Sequence, residues 1–459
     1  MTNPILMTDS YKMSHFKQYP KGTEYVVSYV EARGTDKDWS KTVFLGLSYF
    51  IQQYLENPIT QENIDEAEYI CYQHGVPFNK SGWEYILDRH NGYLPIQIQG
   101  LEEGTVVPLG TPLVQVMNTD PNCFWVTSFI ETALLRAIWY PTTVGTISRE
   151  IKRDLMAYLT VTGGGTAGLN FMLNDFGARG VSSGESAGIG GYGHLVSFEG
   201  TDNLESVMFT RNFYDAGMPA YSVIASEHST MTTWGRENEV DAFRNMLSLA
   251  TEGSIISVVS DSWDIFAACN ELWGTILKSE VISLADKNAR LVVRPDSGNP
   301  EKVPIECVEI LMKKFGYRVN KEGFKVLPSY IRVLQGDGID QTSIRRILED
   351  ARLGGIAAEN FVFGMGGGLL QHADRDWLKF AMKACAIRIN GEWEDVYKDP
   401  VHGGKSSKRG RQYVGKDYSV SEQLSEYGLE DSLLKTWWID GTWTVKKPTL
   451  KEIRQRAEI

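Results

Sequence analysis

The chain has 459 residues, 42% hydrophobic and 23% charged, and its 58 acids against 46 bases give a formal charge of −12. That is longer than one minimal (β/α) barrel of about 250 residues, so about 200 remain for a second domain. The acidic balance disfavours nucleic acid or an anionic membrane as a general partner. Cys71, Cys123, Cys269, Cys307 and Cys385 form no CxxC pair, and no HxxxH spacing occurs. Free thiols in a reducing cytoplasm are expected, with no disulfide and no structural zinc. No apolar run reaches the roughly 18 residues of a membrane span, and the opening MTNPILMTDSYKMSH lacks the charge-then-apolar layout of a signal peptide.

In chain order, residues 48–57 and 62–74 have the spacing of amphipathic helices. Residues 94–116 alternate apolar and polar, with turns at Gly104, Pro108, Gly110 and Pro112, and read as a small antiparallel β unit. Residues 125–135 read as a helix, Tyr140-Pro141 as a break, and Gly163-Gly164-Gly165 as a flexible connection. Six short apolar runs follow: FMLNDFGARG from Phe171, YSVIASEHST from Tyr221, ISVVSDSWD from Ile256, RLVVRPDSGNP from Arg290, IRVLQGDGID from Ile331 and NFVFGMGGG from Asn360. Each reads as a strand buried on both faces that ends in charged, hydroxyl or glycine residues. Residues 264–278 and 341–351 read as helices between them. Strand and helix in alternation predict parallel strands with crossover helices, and polar strand ends are where a (β/α) barrel builds its active site. The competing reading is a set of ordinary turns with capping residues; six of them with Asp, Glu, His, Arg and Gly at the same point favour a ligand site. After Asp376 the rhythm changes: residues 381–459 hold two β-like stretches, a basic loop and a terminal helix from Lys451. The expected architecture is α/β: an irregular (β/α) barrel over 146–380, and a mixed α+β domain built from 1–145 and 381–459.

The densest cluster of chemistry is DFGARGVSSGESAGIGGYG, residues 175–193. Gly188-x-Gly190-x-x-Gly193 formally matches the dinucleotide fingerprint, but no apolar strand directly precedes it and the acidic partner is absent. These glycines read as a loop or helix start open to an anion, against a plain packing role. Arg179 and Arg294 at strand ends offer planar forks for phosphate, and Asp296 beside Arg294 suits ribose hydroxyls or Mg²⁺; the alternative is an internal Arg–Asp pair. Gly336-Asp337-Gly338 and residues 364–368 offer backbone N–H groups at helix starts. The segment 398–411, KDPVHGGKSSKRGR, either gathers a polyanion or is a solvated loop. His228 in SEHST is a phosphate contact, a nucleophile, a proton carrier, or simply a hydrogen-bonded turn residue.

The motifs TDSYKMSHFKQYP from Thr8, DFGARGVSS from Asp175, GTD from Gly200, YSVIASEHST, SVVSDSWDI, RPDSGNP, VLQGDGID, FGMGGGLLQ and VYKDP together resemble the nicotinamide phosphoribosyltransferase family over nearly the whole chain. The resemblance implies a type II phosphoribosyltransferase barrel plus a mixed domain, in a homodimer with sites at the subunit interface. It implies transfer from phosphoribosyl pyrophosphate to nicotinamide, giving nicotinamide mononucleotide and pyrophosphate, with Mg²⁺. Phe176, and Tyr11 from the partner subunit, would sandwich the pyridine ring, with Asp9 beside Tyr11. Asp202 would accept the carboxamide NH₂ and repel a nicotinate carboxylate. Arg179, His228 and Arg294 would face pyrophosphate and ribose, and Asp261 and Asp296 would serve Mg²⁺ or ribose. Gly336, Asp337, Gly366, Gly367, Ser222 and Ser257 are placed around the phosphoribosyl group. Arg33, Arg375, Lys383, Lys398 and Lys405 would line the pyrophosphate side, several of them contributed by the partner. Phosphorylation of His228 by ATP would couple hydrolysis to product formation. Ala178 departs from the tyrosine of vertebrate relatives inside the DFG-x-RG motif. The rivals are a nicotinate phosphoribosyltransferase, an NAD-dependent oxidoreductase resting on Gly188–Gly193 alone, and a non-catalytic binding protein.

Overall fold

The computed structural model describes residues 3–401, 406–423 and 431–459. The chain forms two compact units, Met1–Thr146 with Asn212–Ala216 and Asp374–Glu458, and Ile147–Arg211 with Gly217–Ala373. All five cysteines are buried thiols, and no helix among the described residues is long and apolar enough to cross a membrane.

The first unit is built on a seven-stranded antiparallel sheet that interleaves both ends of the chain. Its central strand, Thr23–Ala32, is almost wholly buried and pairs with Phe380–Ile389 on one side and Pro112–Asn118 on the other. The segment expected to form a small β unit of its own is instead divided. Ile96–Gly100 and Pro112–Asn118 join the large sheet, whereas Val106–Pro108 pairs with Lys41–Val43. Alternation correctly predicts extended chain there, but it carries no information about which strand is the neighbour. The C-terminal segment supplies more strands than the two expected, including Glu392–Asp395, Lys435–Ile439 and Thr442–Trp443 of the same sheet.

The break expected at Tyr140-Pro141 does not occur. A helix runs from Glu131 to Val161 with Pro141 inside it, preceded by a separate turn of helix at Val126–Phe129. Pro141 lacks the N–H that would bond Ala137 O. Gly46 approaches that carbonyl so closely that a Cβ would lie 2.0 Å from it. Thr142 Oγ1 both donates to Leu45 O and accepts from Leu45 N, each at 3.1 Å. Packing against the Leu45–Gly46 segment, rather than local propensity, holds the helix through its proline.

The second unit is a curled sheet of seven parallel strands. They are β1 Leu173–Asp175, β2 Gly200–Thr201, β3 Ile224–Ala225, β4 Ile255–Val259, β5 Arg290–Arg294, β6 Ile331–Gln335 and β7 Phe361–Met365, in the order β2-β1-β7-β6-β5-β4-β3. Gly200 also makes a parallel bridge to Tyr221, just before β3. Each of the six apolar runs contains one strand; the short β2 is the addition. The run at Tyr221 is not buried on both faces as expected: Tyr221, Val223 and Ile224 are 56%, 42% and 42% exposed, because β3 is an edge strand. The helix expected over 264–278 starts as Ile265–Ala267 and continues with π-type turns through Ala268–Ile276. The helix expected at 341–351 is Gln341–Leu353, capped by the Asp340 side chain on Ser343 N at 2.8 Å.

Candidate active site

The C-terminal ends of the strands surround a cavity of about 1000 Å³ lying wholly within the second unit. β1 delivers Asp175, Phe176 and Arg179, β2 delivers Asp202, and β3 delivers Ser226, Glu227 and Thr230. β5 delivers Arg294 and Asp296, β6 the loop from Gly336 to Asp340, and β7 Gly366, Gly367, Gln371 and His372.

At one side lies the Phe176 ring. Gly364 has no room for a side chain, since a Cβ would come within 2.0 Å of Phe176 Cε2, and a Cβ on Gly336 would lie 3.4 Å from the same atom. The Arg294 guanidinium is 5.3 Å from the ring centroid, so an aromatic face and an anion-binding fork adjoin. Asp202 lies nearby in the same cavity, and Ser222 Oγ donates to its Oδ1 at 2.6 Å.

Arg294 donates to Asp296 Oδ1 from Nε at 3.0 Å and from Nη2 at 2.6 Å. The internal ion pair is therefore present, and both partners still line the cavity. His228 opens a one-turn helix, His228–Thr232, after β3. Its Nε2 lies 2.8 Å from Asp261 Oδ1, and its Nδ1 lies 3.9 Å from Asp296 Oδ2. Asp261 is nearly buried and spends its second oxygen on the Asp296 N–H at 3.1 Å. Both oxygens of Asp261 are thus engaged, whereas Asp296 keeps Oδ2 beyond hydrogen-bond distance of His228. One carboxylate oxygen beside an Arg fork suits a hard cation shared with substrate phosphates. Ser257 is buried inside β4 and is not part of the cavity lining.

The remaining expected site residues belong to the first unit. Asp9 accepts from Thr132 Oγ1 at 2.6 Å, and Tyr11 is 60% exposed on the helical turn Ser10–Lys17. Arg33, Arg375 and Lys398 lie close enough to Lys383 to disfavour its charge. Burial lowers the Lys383 pKa first, Glu131 opposes, and the three cations add to the lowering. The structure thus gathers four of the five expected cations; Lys405 lies outside the described residues.

One expectation about glycines changes. Gly188, Gly190 and Gly193 lie in the middle of helix α1, Gly184–Leu195, are buried, and do not border the cavity. They are packing positions: a Cβ at Gly188 would press on Phe209, and one at neighbouring Gly191 would lie 2.4 Å from Ser206 Cβ. The oxidoreductase alternative loses its one support. At the Gly336–Gly338 loop, Asp340 caps Ser343 N at 2.8 Å, and Gly336, Asp337 and Gly338 themselves line the cavity. Sequence reasoning missed Asp175, Glu227, Thr230, Gln371 and His372 as cavity residues. All five fall inside or directly beside motifs at strand ends, which was the available signal. Asp175 is 0% exposed, and burial pushes its carboxyl up to about 6 against the bonds from Asn203 and Gly177.

A curled parallel sheet with its cavity at the C-terminal strand ends, joined to an antiparallel sheet unit, is the architecture of the type II phosphoribosyltransferases. Nicotinate-nucleotide pyrophosphorylase from Pyrococcus furiosus superposes with a TM-score of 0.61 at 16% identity, covering 99% of this chain and 95% of that one. Human nicotinic acid phosphoribosyltransferase superposes with a TM-score of 0.53 at 14% identity, covering 98% and 93%. Such distant likeness speaks for the fold alone.

The model of the nicotinate phosphoribosyltransferase (NAPRTase) family matches residues 171–432, and that of the nicotinamide phosphoribosyltransferase N-terminal domain matches residues 3–98. A nicotinamide phosphoribosyltransferase of Xanthomonas campestris pv. campestris is 46% identical, covering 100% of this chain and 98% of its own. One from Acinetobacter baylyi is 33% identical, covering 99% and 97%. The chain belongs to the nicotinate phosphoribosyltransferase family and is a pentosyltransferase.

Proposed function

We propose that this enzyme transfers the phosphoribosyl group of phosphoribosyl pyrophosphate to nicotinamide, releasing pyrophosphate and nicotinamide mononucleotide, in the salvage of NAD in the cytoplasm. The observation that carries the reading is a single cavity lined by Phe176, Arg294 and Asp202 together. The name shared by the full-length relatives supports it. Phe176 stacks on a pyridine ring that becomes cationic as its nitrogen bonds to C1 of the ribose. The C1–oxygen bond to pyrophosphate breaks towards an oxocarbenium-like transition state, so little acid–base chemistry is needed. Positioning and neutralisation of the leaving pyrophosphate by Arg179 and Arg294 lower the barrier. The neighbouring guanidinium and ring, 5.3 Å apart, support adjoining subsites for the leaving group and the attacking nitrogen. Asp202 accepts the carboxamide NH₂ and repels the carboxylate of nicotinate.

Asp261 and Asp296 would hold Mg²⁺, Asp296 through Oδ2, and Asp261 Oδ1 also orients His228. Bound there, Mg²⁺ would neutralise charge on the pyrophosphate oxygens. With His228 Nε2 tied to Asp261, Nδ1 keeps its lone pair and is the nitrogen we assign to attack the γ-phosphorus of ATP. The γ-phosphoryl group moves to Nδ1, ADP leaves, and water later releases inorganic phosphate. Two copies of the chain form the working unit, Asp9 and Tyr11 of the partner subunit completing the ring site, with the cations around Lys383 facing pyrophosphate.

The test is product formation from phosphoribosyl pyrophosphate and Mg²⁺ with nicotinamide and nicotinate side by side, with and without ATP. Mononucleotide from nicotinamide in clear excess, with a yield raised by ATP, is the expected result. Product mainly from nicotinate would overturn the specificity, and no ATP hydrolysis would overturn the phosphohistidine.

A further inference from the structure

Asp175 is the last residue of β1, and its neighbours in sequence and space are the two groups assigned to the ring. Its Oδ1 accepts from Gly177 N at 2.8 Å, fixing the turn that carries Phe176. Its Oδ2 accepts from Asn203 Nδ2 at 2.9 Å, fixing the residue after Asp202. Its backbone O accepts from Asp202 N at 3.0 Å. Asn203 is itself locked: Nδ2 also donates to Ala187 O at 2.9 Å in α1, and Oδ1 accepts from Ser206 N at 3.1 Å. Gly191 of α1 is what makes room, since a Cβ there would lie 2.6 Å from Asn203 Nδ2 and 3.1 Å from Asp175 Oδ2. The buried carboxylate therefore does not face substrate as a reagent. It ties the loop of the stacking ring to the loop of the amide acceptor.

We infer that Asp175 is a positioning residue for nicotinamide recognition, holding Phe176 and Asp202 in register across the ends of β1 and β2; the inference rests on the nicotinamide reading above. The charged groups beside it are Asp202 and Glu205, Gly191 faces it from α1, and Met365 pairs with it from β7. Its carboxyl, pushed up to about 6, takes a proton on mild acidification, which removes one of the acceptors that the two loops share.

The experiment compares wild type, Asp175→Asn and the exchange variant Asp175→Asn/Asn203→Asp, measuring KM for each substrate and kcat at neutral pH. Asp175→Asn turns an NH₂ against the NH₂ of Asn203. The expected result is a rise of about tenfold or more in the KM for nicotinamide, the scale of a buried donor left unsatisfied. The KM for phosphoribosyl pyrophosphate stays within about twofold. The exchange variant again pairs a donor at position 175 with an acceptor at position 203, and the amide oxygen introduced at 175 can still accept from Gly177 N. It sets a carboxylate oxygen against Ala187 O in place of the donor there, so part of the nicotinamide affinity returns. In wild type the KM for nicotinamide rises as pH falls through about 6, and in Asp175→Asn it does not. A nicotinamide KM unmoved in Asp175→Asn, or equal losses for both substrates without recovery in the exchange variant, overturns the inference. If Asp175→Asn does not fold, the exchange variant decides alone: a nicotinamide KM clearly below a rise of about tenfold supports the pairing, and a rise of about tenfold or more rejects it. A wild-type enzyme that makes no product from nicotinamide sinks the functional reading itself; a wild type that does, beside an insensitive Asp175→Asn, sinks only this inference.

Discussion

Replacing Asp202 by Asn tests the proposed choice of amide over acid with the least disturbance of shape. The Ser222 hydroxyl donates to Asp202 Oδ1 at 2.6 Å, and an Asn carbonyl accepts the same bond. Two effects change. A nicotinate carboxylate about 4 Å from Asp202 meets a repulsion of about 1 kcal/mol in water and about 4 kcal/mol at an effective dielectric of 20. Asp202 is exposed, so solvent screening favours the lower half, about 1–2 kcal/mol. The bond from the carboxamide NH₂ falls from charge-assisted to neutral, a loss of about 1 kcal/mol. Together, about 2–3 kcal/mol of discrimination disappears, or about 30- to 150-fold in the ratio of kcat/KM for nicotinamide over nicotinate. The assay is kcat/KM for each base at saturating phosphoribosyl pyrophosphate, in wild type and Asp202→Asn. The nicotinate value should rise while the nicotinamide value falls. A ratio that moves less than about threefold would refute the argument, because the carboxylate would then carry no selectivity.

Three further outcomes follow from single contacts. Gly364→Ala places a methyl 2.0 Å from Phe176 Cε2, so the ring must leave its place. KM for nicotinamide should rise about tenfold or more, at an overpacking cost of about 1–3 kcal/mol; an unchanged KM would show that Phe176 does not hold the base. Glu239 is raised to about 7 by burial, with Arg236 opposing and Asp264 adding, and its Oε1 is a buried acceptor with no hydrogen-bond partner among the described residues. An acid whose folded pKa is raised binds its proton more tightly folded than unfolded. Stability is therefore greatest below the unfolded value near 4.5 and is lost as pH rises to about 7. Discounted for partial exposure, Glu239→Gln should stabilise by about 1 kcal/mol above pH 7, or about 1–3 °C, and the gain should vanish towards pH 4.5. A melting difference independent of pH would contradict this. In the first unit, buried Glu103 accepts from Gly46 N at 2.8 Å, Ser48 N at 2.5 Å and Tyr214 OH at 3.2 Å. Glu103→Gln sets an NH₂ against one of those donors and should lower stability by about 1–3 kcal/mol in thermal unfolding; an unshifted midpoint would mean that the network is dispensable.

The parallel sheet was legible because each strand of a buried parallel sheet is a short apolar run, and its functional end is contiguous with it in sequence. Arg179, Arg294 and the Gly336 loop could be read one strand at a time, whereas Phe176 and Asp202 entered only through the family resemblance. The failures have physical causes too. The YSVI run is apolar enough for a core strand, yet β3 lies at an edge and exposes it, since an apolar run does not say how many neighbours it has. Gly188–Gly193 looked like a phosphate loop because glycine tolerates close approach of anything. What approaches here is the α2 helix Leu204–Phe213, through Phe209 and Ser206, not an anion. The antiparallel sheet was the least legible element: strands 23–32 and 380–389 are neighbours that lie more than 300 residues apart in the chain, and nothing local in either names the other.

Asp175 shows where the boundary lies between what local sequence reveals and what only the fold supplies. Its position in DFGARG marks it as one more polar residue at a strand end, equivalent on the page to Asp202, Asp261 or Asp296. Burial separates them. Asp202 is exposed to the cavity and can meet a ligand, whereas Asp175 is 0% exposed and its carboxylate is bonded by Gly177 N and Asn203 Nδ2, the latter 28 positions away. A carboxylate kept buried at a free-energy cost, with both oxygens bonded to the loops of two other site residues, contributes through their geometry rather than through its own charge. The nicotinamide site is thus expected to fail in two separable ways, by loss of the acceptor at 202 or by loss of the tie at 175. Only the second should be repaired in part by moving a carboxylate to position 203.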